Sequence, residues 1–374
     1  MESASLAEPV TGIQVEDKGL KKNAISFLSN IVIGVASTAP AYSLAATLGG
    51  VAAFVAFGSP AVMIVAFVPM LMIAAAYYYM NRADPDCGTT FSWVSRAMGP
   101  RLGWMGGWGI IVTDIIVMPS LAAIAGQYTF NLFGNSNPST FEVTLIGVIW
   151  IVVMTAICYI GIELSARTQQ LLLGTEFVIL MLFSVVALVK VYSGNGLKTS
   201  HHISASWFNP FAIHGFSNFT EAILLAVFIY WGWDSGVTVN EETENPGTAP
   251  GKAAVVSTFV LVGIYVLVAV AATAYAGPAL LSNNASDVFA PIGHSVLGSG
   301  VDKLLIIAVL TSASASTQTT ILPTARTVLS MARAESIPKR FGEIHPRNLS
   351  PNVATIWNAG STPTTRSKTS RCRM

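Results

Sequence analysis

The chain has 374 residues, 52% hydrophobic and only 10% charged, with a formal net charge of +1 and a mean hydropathy of +0.60. Soluble domains carry about 25% charge, so lipid is the main solvent here, and the near-neutral balance excludes a nucleic-acid surface. Cys87, Cys158 and Cys372 lie far apart and form neither a metal spacing nor a disulfide framework.

Residues 1–24 are polar and read as a cytoplasmic N-terminal segment without a cleavable signal peptide. A membrane span needs about 20 mostly apolar residues. Eight are expected, over 25–49, 54–80, 104–130, 143–160, 169–192, 216–240, 253–276 and 304–329. With the N-terminus inside, thirteen Lys and Arg fall in the inner segments, from Lys18 to Arg347, against Lys190, Lys198 and Lys303 outside. The positive-inside rule therefore places the N-terminus in the cytoplasm.

The first span carries a weak point, Gly34-Val35-Ala36-Ser37-Thr38-Ala39-Pro40, where Pro40 removes a backbone donor. The third carries Asp114 near its middle. The fifth carries Glu176 about seven residues in, roughly 10 Å deep at 1.5 Å per residue. Glu176 is read either as a cation or proton carrier or as a carboxylate reaching the headgroups. The sixth is interrupted by Phe228-Ile229-Tyr230-Trp231-Gly232-Trp233-Asp234-Ser235-Gly236. Irregular backbone at bilayer depth survives only inside protein or beside a water-filled cavity, and an intramembrane acid is a functional hypothesis by default. The eighth holds the hydroxyl-rich run Thr311 to Thr320, which includes Ser312 and Ser316.

Gly34 and Gly232 are 198 residues apart, and Asp114 and Ser312 share that offset. Paired interrupted helices in corresponding halves point to a transporter site built on inverted repeats. An unwound helix frees N–H groups at a positive dipole end and carbonyls at a negative one. Such a break can hold the zwitterion of an amino acid. Gly34, Ala36, Ser37 and Thr38 are expected to face its carboxylate. Phe228, Tyr230, Trp231 and Gly232 are expected to contact the substrate. Asp234, Glu176 and Asp114 are the candidates for proton coupling. Glu241, Glu242 and Glu244 read as loop anchors for the basic inner segments.

Three stretches now carry a resemblance. One is Phe228 to Ser235 followed by Glu241-Glu242-Thr243-Glu244-Asn245-Pro246. The others are Ala325-Arg326 to His345-Pro346 and Gly99-Pro100-Arg101-Leu102-Gly103-Trp104. From about residue 23 to 355 the chain resembles the amino acid–polyamine–organocation (APC) permeases. The resemblance implies an all-α, LeuT-like inverted-repeat bundle with broken helices one and six, usually of twelve helices, and a gating aromatic nearest Phe228. It also implies proton- or sodium-coupled movement of amino acids or amines across the cell membrane by alternating access, with no cofactor. Sodium-coupled relatives of this fold use eighth-helix hydroxyls, here near Ser312 and Ser316. Two departures stand out: Ala36-Ser37-Thr38 where many relatives have Gly-Ser-Gly, and a basic Ser/Thr-rich tail where a ninth helix is expected.

The expected organisation is a first five-helix repeat over 25–193, a partial second repeat over 194–331, a cytoplasmic loop over 332–357 and an aberrant tail over 358–374, from a truncated frame. The expected function is secondary active transport of amino acids or related amines across the cell membrane by alternating access, with H+ (or Na+) as the coupling ion. The alternative is a non-transporting fragment or a ligand-binding membrane sensor. No nucleophile–base pair or phosphate loop supports an enzyme.

Overall fold

The computed structural model describes residues 17–361. Among them the regular structure is helical, apart from a single β-bridge between Ile25 and Thr243. Six segments are long and apolar enough to cross a membrane. The eight expected spans fall on them unevenly for a physical reason. One apolar segment, Phe27–Ala83, holds two expected spans, whereas the sixth span is broken and leaves only the 14-residue helix Phe216–Ile229.

The first span is α1 (Phe27–Ser37) and α2 (Pro40–Val55), split at Thr38 and Ala39. A proline clashes with the carbonyl four residues back and disfavours helical backbone in the residue before it. Ala39 accordingly sits in the left-handed region at φ 47. Helix α2 runs on to Val55 and turns through Ala56–Gly58, so α3 (Ser59–Ala83) starts later than the expected residue 54. Pro60 lies in its first turn, where a missing N–H costs nothing.

Next come α4 (Thr90–Met98), α5 (Pro100–Leu132), α6 (Thr140–Ile160) and α7 (Ile162–Tyr192). Helix α7 starts seven residues ahead of the expected 169, because its first turns are helical but polar. The sixth span is α8 (Phe216–Ile229), an irregular stretch, and the short α9 (Ser235–Thr238). Then follow α10 (Ala249–Asn283), α11 (Phe289–Leu297), α12 (Lys303–Arg333) and α13 (Asn352–Gly360). Pro278 frees the Ala274 carbonyl in α10, and the His201 amide takes it at 2.8 Å. Two nine-residue helices, α4 and α11, are too short to register as spans. Helix α13 crosses the expected boundary at 358 between loop and tail; the rest of the tail, 362–374, lies outside the described residues, as do residues 1–16.

Polarity is turned inward. Helix α12 is the least apolar of the membrane-length segments and the most buried, whereas the strongly apolar α6 is the least buried. Its hydroxyls face protein and its neighbours' apolar side chains face lipid.

The two breaks touch. The Ser37 and Ser235 hydroxyls are 2.7 Å apart. They too are separated by 198 residues. A Cβ on Gly232 would meet the Ser37 carbonyl at 2.9 Å, one on Gly236 the Asn30 side chain at 2.8 Å, and one on Gly34 the Trp233 carbonyl at 3.0 Å. Gly232 also has φ 125, which disfavours side chains. Gly232→Ala is therefore expected to destabilise the fold by about 1–3 kcal/mol, read as a lowered thermal midpoint of the detergent-solubilised protein. An unchanged midpoint would show that the breaks can separate at no cost.

Candidate functional site

The breaks line a cavity of about 300 Å³. Its wall combines Ser37, Thr38, Ala39, Tyr42 and Ser43 from the first break with Phe228, Trp231, Gly232, Asp234 and Ser235 from the second. Asp114 and Ser120 come from α5, and Ser316, Thr319 and Thr320 from α12. Ile116 of α5 and Phe228 of α8, also in the lining, are 60% and 68% exposed.

Of the sequence-predicted residues, the structure gathers Ser37, Thr38, Phe228, Trp231, Gly232, Asp234, Asp114 and Ser316 at this cavity. Gly34 and Ala36 are buried away from it, Gly34 against the second break and Ser257. Tyr230 points elsewhere: its hydroxyl donates to the Met63 carbonyl and its ring stands edge-on to Tyr265. Glu176 and Ser312 are absent from the lining. The polar lining residues that the sequence reading missed are chiefly Tyr42, Ser43 and Ser120, whereas Thr319 and Thr320 belong to the hydroxyl-rich run it singled out. Tyr42 and Ser43 had a signal, since Pro40 marks the start of a half-helix whose first turn must face the break.

Glu176 has a structural position. Its Oε1 accepts from the Ala41 amide at 2.5 Å and from Ser312 Oγ at 3.0 Å, and Ser312 Oγ in turn lies 3.3 Å from the Tyr42 amide. A helix start leaves its first N–H groups without intrahelical partners. Here a carboxylate from α7 and a hydroxyl from α12 take two of them. The carboxylate also faces the positive end of the α2 dipole. Ser316 Oγ donates to the Ser37 carbonyl at 2.9 Å, and Ser43 Oγ to the Thr38 carbonyl at 2.6 Å. The first break is therefore satisfied by protein groups.

The second break is less so. The Tyr265 hydroxyl donates to the Ile229 carbonyl at 2.7 Å. Among the described residues no hydrogen bond reaches the carbonyls of Tyr230 and Trp231, and the Gly232 and Trp233 amides donate to no backbone carbonyl. Asp114 accepts from Thr324 Oγ1 at 2.9 Å. Asp234 has no ion pair among the described residues.

Below the second break, the acidic run ties down basic segments. Glu242 accepts both the Nε and Nη2 of Arg326, at 2.8 and 2.9 Å, with both residues buried. Lys18 is buried too, with Nζ 2.5 Å from Glu241 and 3.0 Å from Asp86. Asp86, Cys87 and Glu241 have metal-ligand spacing, but the Lys18 ammonium occupies their common reach. Burial alone would raise the Asp86 carboxyl. Lys18, the Ser92 hydroxyl and the Gly88 amide outweigh it and hold the group below its ordinary value. At the opposite end, the Tyr128 hydroxyl donates to Asp287 and so links α5 to the segment before α11.

A family model described as amino acid permease matches residues 23–363. The chain belongs to that family. It is a family of transporters, not of enzymes, and the apolar helices of this chain make it a multi-pass membrane protein. The chain is 26% identical over 288 residues to an uncharacterized transporter of Mycobacterium tuberculosis, covering 74% of this chain and 60% of that one. It is 22% identical over 304 residues to the branched-chain amino acid permease BcaP of Lactococcus lactis, covering 76% and 62%. It is 22% identical over 332 residues to the glutamate/serine transporter AimA of Bacillus subtilis, covering 84% and 59%. The chain thus spans about 60% of the length of the curated relatives it matches.

The capping arrangement is testable. Glu176→Ala strands the Ala41 amide in a buried site and is expected to cost about 1–3 kcal/mol. Glu176→Gln keeps a carbonyl acceptor there and should recover most of that loss. Equal thermal midpoints for the two variants would remove Glu176 from the cap.

Proposed function

We propose that this chain carries the substrate site of a secondary transporter that moves amino acids or related amines, by alternating access, with protons as the coupling ion. The observation that carries the reading is the cavity where the two broken spans meet, lined by two membrane-depth carboxylates on different elements. In this reading the chain crosses the membrane eight times, with its N-terminus on the cytoplasmic side of a cell membrane. The basic residues gathered at that end support this orientation. The names of the relatives support amino acids as the substrate class. They include branched-chain and glutamate/serine carriers, so the family alone does not set the charge of the side chain.

Asp234 is assigned the coupling proton. It lines the cavity and has no paired cation among the described residues, so a proton or a substrate ammonium is the natural compensation for its charge. Sodium is the weaker candidate: Ser312 does not line the cavity, and its Oγ already accepts from the Tyr42 amide. Trp231 is assigned to the substrate. An amine over its face gains about 0.5–2 kcal/mol. The Lys18–Asp86–Glu241 cluster is assigned to holding the cytoplasmic end closed. The sensor reading has the same cavity but no movement of the substrate.

The test is uptake of labelled amino acids and amines into proteoliposomes under an imposed proton gradient. Gradient-driven accumulation is expected for the chain. Asp234→Asn is expected to abolish the response to the gradient while the protein still folds and inserts. Uptake by Asp234→Asn with unchanged pH dependence removes Asp234 from coupling, and binding without accumulation by the parent chain favours the sensor. Trp231→Ala is expected to change which compounds compete; an unaltered competition profile would place Trp231 outside the substrate's reach.

The cytoplasmic closure should not act as a pH switch. The Asp86 carboxyl is held below its ordinary value of 3.8, so its contribution is lost only as pH falls through that lower value. Burial would lower the Lys18 ammonium, but Cys87, Asp86 and Glu241 raise it above 10.5, so its contribution is lost only as pH rises beyond that. The contributions of Lys18 and Asp86 should be flat from about pH 5 to about pH 9. Lys18→Met leaves buried acid uncompensated and should cost about 3 kcal/mol, measured as a drop in thermal midpoint throughout that range.

A further inference from the structure

The chain between α7 and α8 has an unusual composition for a loop. From Thr199 to Thr220 it contains no Asp, Glu, Lys or Arg, while Trp207, Phe208, Phe211 and Phe216 crowd together. Helix α7 starts at the Lys18 end of the bundle, where Glu163 pairs with Lys21 at 2.9 Å, so the chain beyond Tyr192 lies at the other end. It folds there into two short 3₁₀ turns, Ala205–Phe208 and Pro210–Ala212. Their amides are satisfied within the segment. Ser204 Oγ accepts from the Ser206 amide at 3.4 Å, and Asn209 Oδ1 from the Phe211 amide at 3.0 Å. The Trp207 and Ala212 amides donate to the Ser204 and Asn209 carbonyls at 3.1 and 3.2 Å. Backbone whose donors are met by protein can leave bulk water.

Part of the segment grips the bundle. Trp207 is buried and stacks on Phe57, in the turn between α2 and α3, with ring centroids 5.0 Å apart. Ile203 and Ile213 pack against the core. The phenylalanines are left uncovered: Phe211 is 94% exposed, Phe216 86% and Phe208 39%. An exposed apolar patch marks a contact with protein or with lipid, and its level in the membrane favours lipid. Helix α8 has 14 residues, a rise of about 21 Å. Half of the hydrocarbon core is about 15 Å thick. Measured from a break near mid-bilayer, Phe216 therefore stands at the headgroups. The turn beneath Trp207, where α2 and α3 both end, gives the same level. The patch also continues the lipid-facing side of the bundle. Helix α3 packs against both turns and against α8, and its Val68 and Met72, like Leu224 of α8, are exposed.

We infer that residues 203–216 form an interfacial foot: Phe208, Phe211 and Phe216 insert into the lipid leaflet opposite the Lys18 end, at the boundary of headgroups and acyl chains. The foot is tied to the bundle through Trp207 and runs directly into α8, the half-helix that leads to the second break. It therefore fixes the depth of that half-helix in the bilayer. The insertion is apolar, because the segment offers no Lys or Arg to anionic headgroups, and it is independent of salt and of lipid charge. This inference uses the membrane-spanning helices of the chain and not the transport reading.

The experiment is spin labelling of the full chain in vesicles of phosphatidylcholine, with and without phosphatidylglycerol, at about pH 8, where histidine is neutral. Single labels go on Phe208→Cys, Phe211→Cys, Phe216→Cys and, as a control in the exposed turn after α7, Asn195→Cys. The background is Cys372→Ser, since Cys87 and Cys158 are buried. Collisions with oxygen, which partitions into lipid, are compared with those of a water-soluble nickel chelate. The oxygen-to-nickel ratio is expected to be several-fold higher at the three phenylalanine positions than at Asn195, at a depth of about 5–10 Å into the headgroup–acyl boundary, in both lipid mixtures and at low and high salt. In Phe208→Ser/Phe211→Ser the Phe216→Cys label should become several-fold more accessible to nickel. Ratios equal to that of Asn195 place the segment in water and overturn the inference. Labels reached by neither reagent show a protein cover, from a second copy or a further segment, and overturn it as well. Insertion that needs anionic lipid or low salt overturns its apolar basis. An unchanged Phe216→Cys label in the double-serine variant overturns the anchoring of α8 by the foot.

Discussion

Everything at the centre of this molecule depends on two interrupted helices approaching to within hydrogen-bond distance. The Ser37–Ser235 contact is possible because the residues around it are small or lack a side chain. Gly34, Gly232 and Gly236 each stand against the opposing break, and each would collide with it if given a Cβ. An interrupted helix in a membrane exposes backbone groups that hydrocarbon cannot satisfy. Bringing two such interruptions together solves part of the difficulty. Side chains from α7, α10 and α12 solve more of it, and the polar groups left over face a cavity.

The division of labour between acids is the second organising fact. Glu176, Asp114 and Asp234 all lie at membrane depth, and in the sequence they look alike. In the structure they differ. Glu176 serves the backbone, as the acceptor for the first turn of α2. Asp114 is half engaged, by the Thr324 hydroxyl, and Asp234 faces the cavity with no ion pair among the described residues. The acidic run beyond the second break differs again, since Glu241 and Glu242 are committed to Lys18 and Arg326. Charge at depth becomes informative only once its partner is known.

That explains what was legible in the sequence. The breaks were, because proline and glycine act on their immediate neighbours: Pro40 at the first, Gly232 among aromatics at the second. The lipid-facing lengths were legible, because apolarity is a local property of a segment. The family likeness was legible from motifs within short windows. Helices α4 and α11 were not, being only nine residues each. The polar first turns of α7 were not, because a hydropathy pattern stops where charge starts although the helix does not. The cap of α2 was not, because Glu176 reaches it from 135 residues away. Tyr230 was misdirected toward the substrate because an aromatic beside a break looks the same whether it faces the cavity or Met63.

The buried ammonium of Lys18 has a consequence for biosynthesis. It lies ahead of the first span and leaves the ribosome early, yet its partner Glu241 is 223 residues further on. At synthesis rates of about 5–20 residues per second, Glu241 follows on the order of 10–45 s later. The same delay holds for Ser37 and Asn30, whose partners also lie beyond residue 230. During that interval the first helix must sit in the insertion machinery or the bilayer with its break unsatisfied. The nascent chain is therefore held open by its own topology until its sixth span arrives, and whatever shelters the first span in the meantime is as much a requirement of this fold as the contacts that finally close it.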